Sequence, residues 1–286
     1  MKLDKRRKYY LILDCETATL PCAKDYTEEQ KKKICIAKPL IYDLGWVIVD
    51  KKGRIYSRQN YIISEVFSVP EVFNTAYYAE KRPLYLEQIE GGKVSIKPWR
   101  EVISILEKDM SMVEAVGAYN AMFDFKKAIP FTELYINMLY SIEYYEWYEM
   151  QKQICYDIAF NNRHKSTKEF NPNEFLFHGE SYPLFDIWGI ACTYILNNDK
   201  YRKFCLNNKF LTSSQKYYST SAETCYRFIT LNSDFIESHT ALDDAEIETQ
   251  IFSEVMKKSR NKVDIGLIYF PFRIIGKVPE NCILPI

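Results

Sequence analysis

The chain has 286 residues, and its 38 Lys and Arg are matched by 38 Asp and Glu. A formal net charge of zero excludes a histone-like or generally basic nucleic-acid coat. A hydrophobic share of 47% with 27% charged excludes a mainly disordered chain, and the length allows one large domain or two ordinary ones.

Tyr9 to Asp14 is a short apolar run bounded by charge, which predicts a buried strand. Residues 17–38 are polar, with a Lys run at 31–33, and read as a long connection with at most a turn or two of helix. Leu40 to Val49 is a second strand, Asp50 to Gly53 a hairpin turn, and Arg54 to Ser64 the returning strand. These three make an antiparallel meander. Pro70 suits a helix start, Pro83 breaks that segment, and Gly91-Gly92 closes it. Pro98 opens a helix whose stripe is Trp99, Val102, Ile103, Leu106 and Met110. Val113 to Tyr119 is a fourth strand. Residues 122–157 are aromatic-rich and helical in pattern, interrupted at Pro130, and residues 160–180 read as a polar surface loop. Pro183 to Asp186 is a short fifth strand, followed by a helix over Ile187 to Leu196. Two or three more helices reach about Arg260, and the apolar tail from Val263 is expected to pack back on the body. The order predicts an α/β fold, a mixed five-stranded sheet with helices on both faces.

Eight cysteines, at 15, 22, 35, 155, 192, 205, 225 and 282, never fall in CxxC spacing. Neither a zinc ribbon nor a thioredoxin-type site is supported, and reduced, buried thiols in a cytoplasmic protein are expected. The start MKLDKRRKYYLILDCE reads as a strand rather than a signal peptide. No window of ~18 consecutive apolar residues occurs, so no membrane span is expected. With only His164, His178 and His239 available, a metal site built from several histidines is hard to assemble.

Carboxylates carry the chemistry instead. Asp14 and Glu16 lie two apart on a strand, so both face the same way at the end of an apolar run. Side-by-side like charges repel unless a cation neutralises them. Asp124 follows a strand and opens a helix, where the helix dipole also favours an acid. In His239-Thr-Ala-Leu-Asp-Asp244-Ala, Thr240 and Asp243 have capping-box spacing, which places the helix start near Ala241 and Asp244 in its first turn. His239 stands just outside that helix. Oxygen-only ligands at strand ends and helix starts suit Mg²⁺ or Mn²⁺ rather than zinc. A pair of such ions serves in-line attack on a phosphodiester, and a histidine of near-neutral pKa can take the proton of the attacking water.

Asp14-Cys-Glu16-Thr17 resembles the first motif of the DnaQ-like exonucleases, Asn120-Ala-Met-Phe123-Asp124 their second, and His239 to Asp244 their third. The histidine five positions before the last Asp places the likeness in the DEDDh subgroup, and Leu184 to Ala191 resembles the strand and helix between the second and third motifs. The matched span runs from about Tyr9 to Ser259. The resemblance implies a ribonuclease H-like fold and a 3′→5′ exonuclease that releases nucleoside monophosphates from single-stranded 3′ ends. It implies Asp14 bridging two ions, Glu16 and Asp244 completing the shell of the first ion, Asp124 holding the second ion, and His239 as general base. Thr17, Asn120 and Phe123 would contact the terminal nucleotide. DNA is the expected substrate, with RNA the alternative and a polymerase or replication protein a candidate partner.

The chain departs from that family in its long connection after Thr17, in an aromatic-rich insertion at about 131–180, and in Tyr119, where many relatives carry His. Residues 1–260 are expected to form the exonuclease domain and 261–286 a tail packed on it. The tyrosines at 139–148 and 217–218 offer two readings, bases stacked on them or packing. The rival function is a catalytically silent nucleic-acid-binding or polymerase-associated module on the same fold. The full set of four acids and one histidine argues against it.

Overall fold

The computed structural model describes residues 4, 6–20, 27–30, 38–140, 171–279 and 282. Its strands are β1 (Tyr9–Thr19), β2 (Pro39–Asp50), β3 (Ile55–Ile63), β4 (Ser95–Lys97), β5 (Ala115–Ala118), β6 (Glu174–Phe177) and β7 (Glu180–Asp186). They form one sheet in the order β4-β3-β2-β1-β5-β7-β6. β2 runs antiparallel to β1 and β3, while β1, β5 and β7 are parallel neighbours. The central five strands are thus the mixed sheet expected of a ribonuclease H-like fold. The sheet has seven strands rather than five because each edge carries one more. β4 pairs parallel with β3, and β6 forms a hairpin with β7.

β1 and β2 are buried along almost their whole length because both sheet faces are covered. The period of two sorts their side chains. Leu11 and Leu13 join Trp46, Trp99, Leu106 and Phe125 on one face, while Tyr10 and Ile12 join Phe185, Ile251 and Phe252 on the other. Among the described residues, the α-helices of five residues or more are α1 (Arg82–Glu90), α2 (Trp99–Met110), α3 (Ile129–Leu139), α4 (Ile187–Ala191), α5 (Asp199–Asn208), α6 (Ala222–Thr230) and α7 (Ala241–Lys258). The five residues of the expected stripe on α2 are all buried, and Trp46 Nε1 donates to Asp109 Oδ2 of that helix at 3.0 Å. α7, the longest of these helices, lies across β1 and β2.

Pro83 acts differently from expectation: it sits in the first turn of α1, where its missing N–H costs nothing, so it opens that helix rather than breaking it. At Pro130 the expected interruption is a change of helix type, from a π-helical turn over Asp124–Ala128 to α3, with helical backbone continuing through it. The polar loop expected over 160–180 is likewise corrected at its described end. Phe175 and Phe177, two apart on β6, are buried, and His178-Gly179 makes the turn into β7 with φ of 48° and 88°. The rest of that segment, 141–170, lies outside the described residues, as do His164, Cys22, Cys35, Cys155 and the Lys run at 31–33. Most of the 139–148 tyrosine cluster lies there too. Of the second tyrosine group, Tyr218 is buried and Tyr217 packs edge-on against Phe272 at 4.9 Å. Cys15, Cys192, Cys205 and Cys225 are buried free thiols. In the tail, Gly266 N–H donates to the Leu184 carbonyl at 2.7 Å, and Ile275 and Val278 are buried. Among the described residues no helix is long and apolar enough to cross a membrane.

Candidate active site

The site forms where α7 begins against the middle of β1, which runs on past Asp14 and Glu16 to Thr19 rather than ending at them as the apolar run suggested. Asp14 and Glu16 alternate with Leu13 and Cys15 and so share the face of Tyr10 and Ile12, the face α7 covers. Asp14 is paired in register with Gly45 of β2. A Cβ at Gly45 would stand 2.3 Å from the Leu242 amide nitrogen and 2.5 Å from the Ala241 carbonyl carbon. Only glycine therefore lets the first turn of α7 rest directly on the sheet, and that contact brings Asp244 beside β1.

Asp43, also on β2, fixes the helix end. Its Oδ2 accepts the Ala241 N–H at 3.0 Å and the Tyr85 hydroxyl at 3.0 Å. A buried carboxylate from another strand thus satisfies an N-terminal amide of α7. The expected capping box is not formed. Thr240 is the N-cap residue, but its hydroxyl donates to Asp243 Oδ2 at 2.9 Å instead of accepting from the backbone.

The second group of residues follows β5. Asn120 adopts the left-handed conformation, with φ of 78°. Asp186 at the end of β7 holds this turn, because Oδ1 accepts the Asn120 and Ala121 N–H groups at 3.2 and 3.3 Å. Its Oδ2 accepts Gly189 N–H at 3.2 Å, so the same side chain caps α4. Asp124 begins a π-helical turn over Asp124–Ala128 and is buried, with the Cys15 thiol donating to its Oδ1 at 3.1 Å. Thr17, Asn120 and Phe123 are half-buried.

Donor atoms of Glu16, His239 and Asp244 lie within 4.8 Å of one another. Asp14 and Asp124 are not part of that trio and join it through their charges. Burial raises the Asp14 pKa well above the usual carboxylate range, and Glu248, Asp124, Glu16 and Asp244 push it further. Burial likewise raises Glu16, helped by Asp43 and Asp244, and raises Asp244, helped by Asp243. Burial raises Asp124, opposed by the Cys15 hydrogen bond. The Oδ1 atom of Asp244 is buried with no hydrogen-bond partner. A buried carboxylate oxygen left bare among mutually repelling acids fits a divalent cation with oxygen ligands.

His239 stands just before α7 with φ of 50°. Its ring stacks on Tyr78 with centroids 4.4 Å apart and planes 16° from parallel. Nδ1 lies 3.9 Å from Glu237 Oε2. Burial, with the Lys81 charge adding to it, holds the imidazole pKa below its ordinary value.

Four acids at the site have no place in the sequence reading as site residues: Asp43, Asp186, Glu237 and Glu248. Glu248 is only 2% exposed, and its Oε2 accepts the Tyr119 N–H at 3.0 Å. Burial, then the charge of Asp124, raises its pKa well above the usual range. Its signal was present in the sequence. It lies one turn after Asp244 and one turn before Phe252, a charged residue on the stripe the helix buries.

No family model matches the chain, and no curated protein matches it. Among solved structures it is similar to a 3′-exonuclease in a complex described as 3′-end specific recognition of the histone mRNA stem-loop. That likeness has a TM-score of 0.47 at 11% identity, over 99% of this chain and 94% of the other. It is also similar to the nuclease domain of 3′hExo, a DEDDh family member bound to rAMP, with a TM-score of 0.42 at 11% identity over 93% of this chain and 100% of the other. A third is S. pombe Pop2p in its Mg²⁺- and Mn²⁺-bound form, with a TM-score of 0.45 at 12% identity over 93% of this chain and 90% of the other. These likenesses concern the path of the chain, and the chemistry follows from the residues of this one.

Proposed function

We propose that this chain is a divalent-metal-dependent 3′→5′ exonuclease that hydrolyses phosphodiester bonds at single-stranded nucleic-acid 3′ ends and releases nucleoside monophosphates. The observation that carries the reading is the buried, unpartnered Oδ1 of Asp244 within the trio it forms with Glu16 and His239. Asp14, Glu16 and Asp244 would hold one Mg²⁺ or Mn²⁺ ion, and Asp14 with Asp124 a second. Such a pair lowers the pKa of water and places positive charge at the leaving oxygen. His239 accepts the proton of the attacking water. Its Nδ1 faces Glu237, which leaves Nε2 as the accepting atom. The depressed imidazole pKa keeps that nitrogen unprotonated at neutral pH. Thr17, Asn120 and Phe123, half-buried and close in sequence to Glu16 and Asp124, would hold the terminal nucleotide. The catalytic domain spans residues 1–260, with 261–286 as a tail packed on it.

The test incubates purified protein with 5′-labelled single-stranded DNA and RNA in Mg²⁺, Mn²⁺ or EDTA. Stepwise shortening from the 3′ end with metal, and none in EDTA, is the expected result. Shortening of the DNA strand agrees with the substrate expected from the sequence, and shortening of RNA alone reassigns the substrate while leaving the chemistry. Full activity in EDTA would sink the reading.

A further inference from the structure

The segment between β3 and α1 reaches over the start of α7 and holds His239 from two directions. Tyr78 lies flat against the imidazole, at the 4.4 Å and 16° given above. Lys81 holds the backbone of the same loop, its Nζ donating to the Ser238 carbonyl at 2.5 Å and to the His239 carbonyl at 3.3 Å. The same ammonium sits 4.3 Å from the centre of the Tyr78 ring, so the two side chains brace each other. His239 needs such bracing. It occupies the left-handed region, uncommon for a residue with a side chain, and it lies outside any helix or strand that would fix its ring. Neither Tyr78 nor Lys81 belongs to the carboxylate set.

We propose that Tyr78 and Lys81 are positioning residues for His239, the tyrosine fixing the plane of the imidazole by stacking and the lysine fixing the loop by its two carbonyl contacts. The inference rests on the exonuclease reading, because it assigns the clamp its purpose. A base must sit within hydrogen-bond reach of the water it deprotonates, and freedom of its ring lowers the share of productive encounters. Removing either clamp should therefore slow the chemical step and leave substrate binding alone.

The experiment compares Tyr78→Leu, Tyr78→Phe, Lys81→Met and Lys81→Arg, each alone and with His239→Ala, in single-turnover cleavage of a short single strand. Tyr78→Leu and Lys81→Met should each lower kcat about tenfold with KM unchanged, a part of the roughly 10²–10⁴-fold a positioned base supplies. Tyr78→Phe and Lys81→Arg, which keep the ring and the cation, should stay near wild type. In the His239→Ala background, Tyr78→Leu should cost nothing further. An equal loss in that background, or a raised KM at unchanged kcat, would overturn the clamp in favour of direct contact with substrate. A second readout does not depend on activity. The chain has three histidines, so the imidazole resonance of His239 is the one that His239→Ala removes. Stacking on Tyr78 shifts it upfield, and Tyr78→Leu should return it toward the free-histidine position. An unmoved resonance overturns the clamp even if the nuclease assay succeeds. A moved resonance in a protein that never cleaves nucleic acid overturns the exonuclease reading and keeps the contact.

Discussion

The two ends of α7 are buried against the same sheet by opposite means. From Ile251 onward, Ile251, Phe252 and Val255 pack with Tyr10, Ile12, Val47 and Phe185, and Phe252 stands 5.1 Å from Tyr10 and 5.3 Å from Phe185 between ring centres. At the first two turns Asp244 and Glu248 are buried beside Ala241, Ala245 and Ile247, and the two acids are set against Asp14, Glu16 and Asp124. One end gains from apolar contact. The other gathers carboxylates whose charges oppose one another, and it is held in place by the Gly45 backbone contact and the Asp43 cap. The difference separates what keeps the helix on the sheet from what the helix brings there. A cluster of repelling acids that the fold must hold by other contacts opposes stability, and the proposed metal site would relieve that repulsion.

The largest expected effect breaks the acidic end. Asp14→Ala should reduce cleavage below detection, because a residue shared by both proposed ion sites is lost. It should not lower the melting temperature in EDTA, since one of several repelling charges is removed. A nuclease assay paired with thermal melting decides it, and an active variant would put the site elsewhere. Next comes His239→Ala, expected to slow single-turnover cleavage by about 10²–10⁴-fold with metal binding intact. The wild-type rate should rise with pH on a limb lying below the ordinary imidazole value of about 6.5, because burial and Lys81 favour the neutral ring. That limb should vanish in the variant. Cleavage at the wild-type rate by His239→Ala would remove it from the mechanism.

The three motifs stand out because each is local in sequence, and the fold sets Glu16, His239 and Asp244 within 4.8 Å of one another, with Asp14 and Asp124 close enough for their charges to interact with the cluster. The meander of β1, β2 and β3 and the stripe on α2 were legible for the same reason, since alternation and turn chemistry act over a few positions. What joins the motifs was not. Asp43 and the Ala241 amide it caps are 198 positions apart, and nothing local to either announces the bond. Gly45 sits inside an apolar strand, where its meaning depends on a helix arriving from far along the chain. Glu248 belongs to none of the three motifs, and its burial follows from where α7 packs on the sheet. β6 was missed because a four-residue strand among polar neighbours has too little alternation to stand out.

The apolar end is tested by Phe252→Ala, which should cost about 3–5 kcal/mol in denaturant unfolding. Each molecule that remains folded should still cut at the wild-type rate, because Phe252 lies two turns from Asp244. A stable variant without activity would reverse the division of labour between the two ends.

The smallest effect sharpens the comparison by pH alone. Asp43 and Asp186 are buried carboxyls whose pKa values are pushed up to about 6, and Asp14, Glu16, Asp244 and Glu248 are raised as well. A carboxyl with a raised folded pKa binds its proton more tightly in the folded state than in the unfolded chain. Proton uptake therefore favours folding, and stability is lost as pH rises from the unfolded value near 4 through the folded values. In EDTA the melting temperature should fall between about pH 5 and pH 8, with a loss on the order of 1–3 kcal/mol. Mg²⁺ or Mn²⁺ should raise it again at pH 8, because a ligand that binds only the folded state stabilises it by mass action. The restoration should be absent from Asp14→Ala. Phe252→Ala should show the same pH slope and the same metal response from a lower baseline, since its loss concerns the other end of the helix. A melting temperature that climbs with pH in EDTA, or metal that restores nothing at pH 8, would mean the acids at the start of α7 are compensated within the protein.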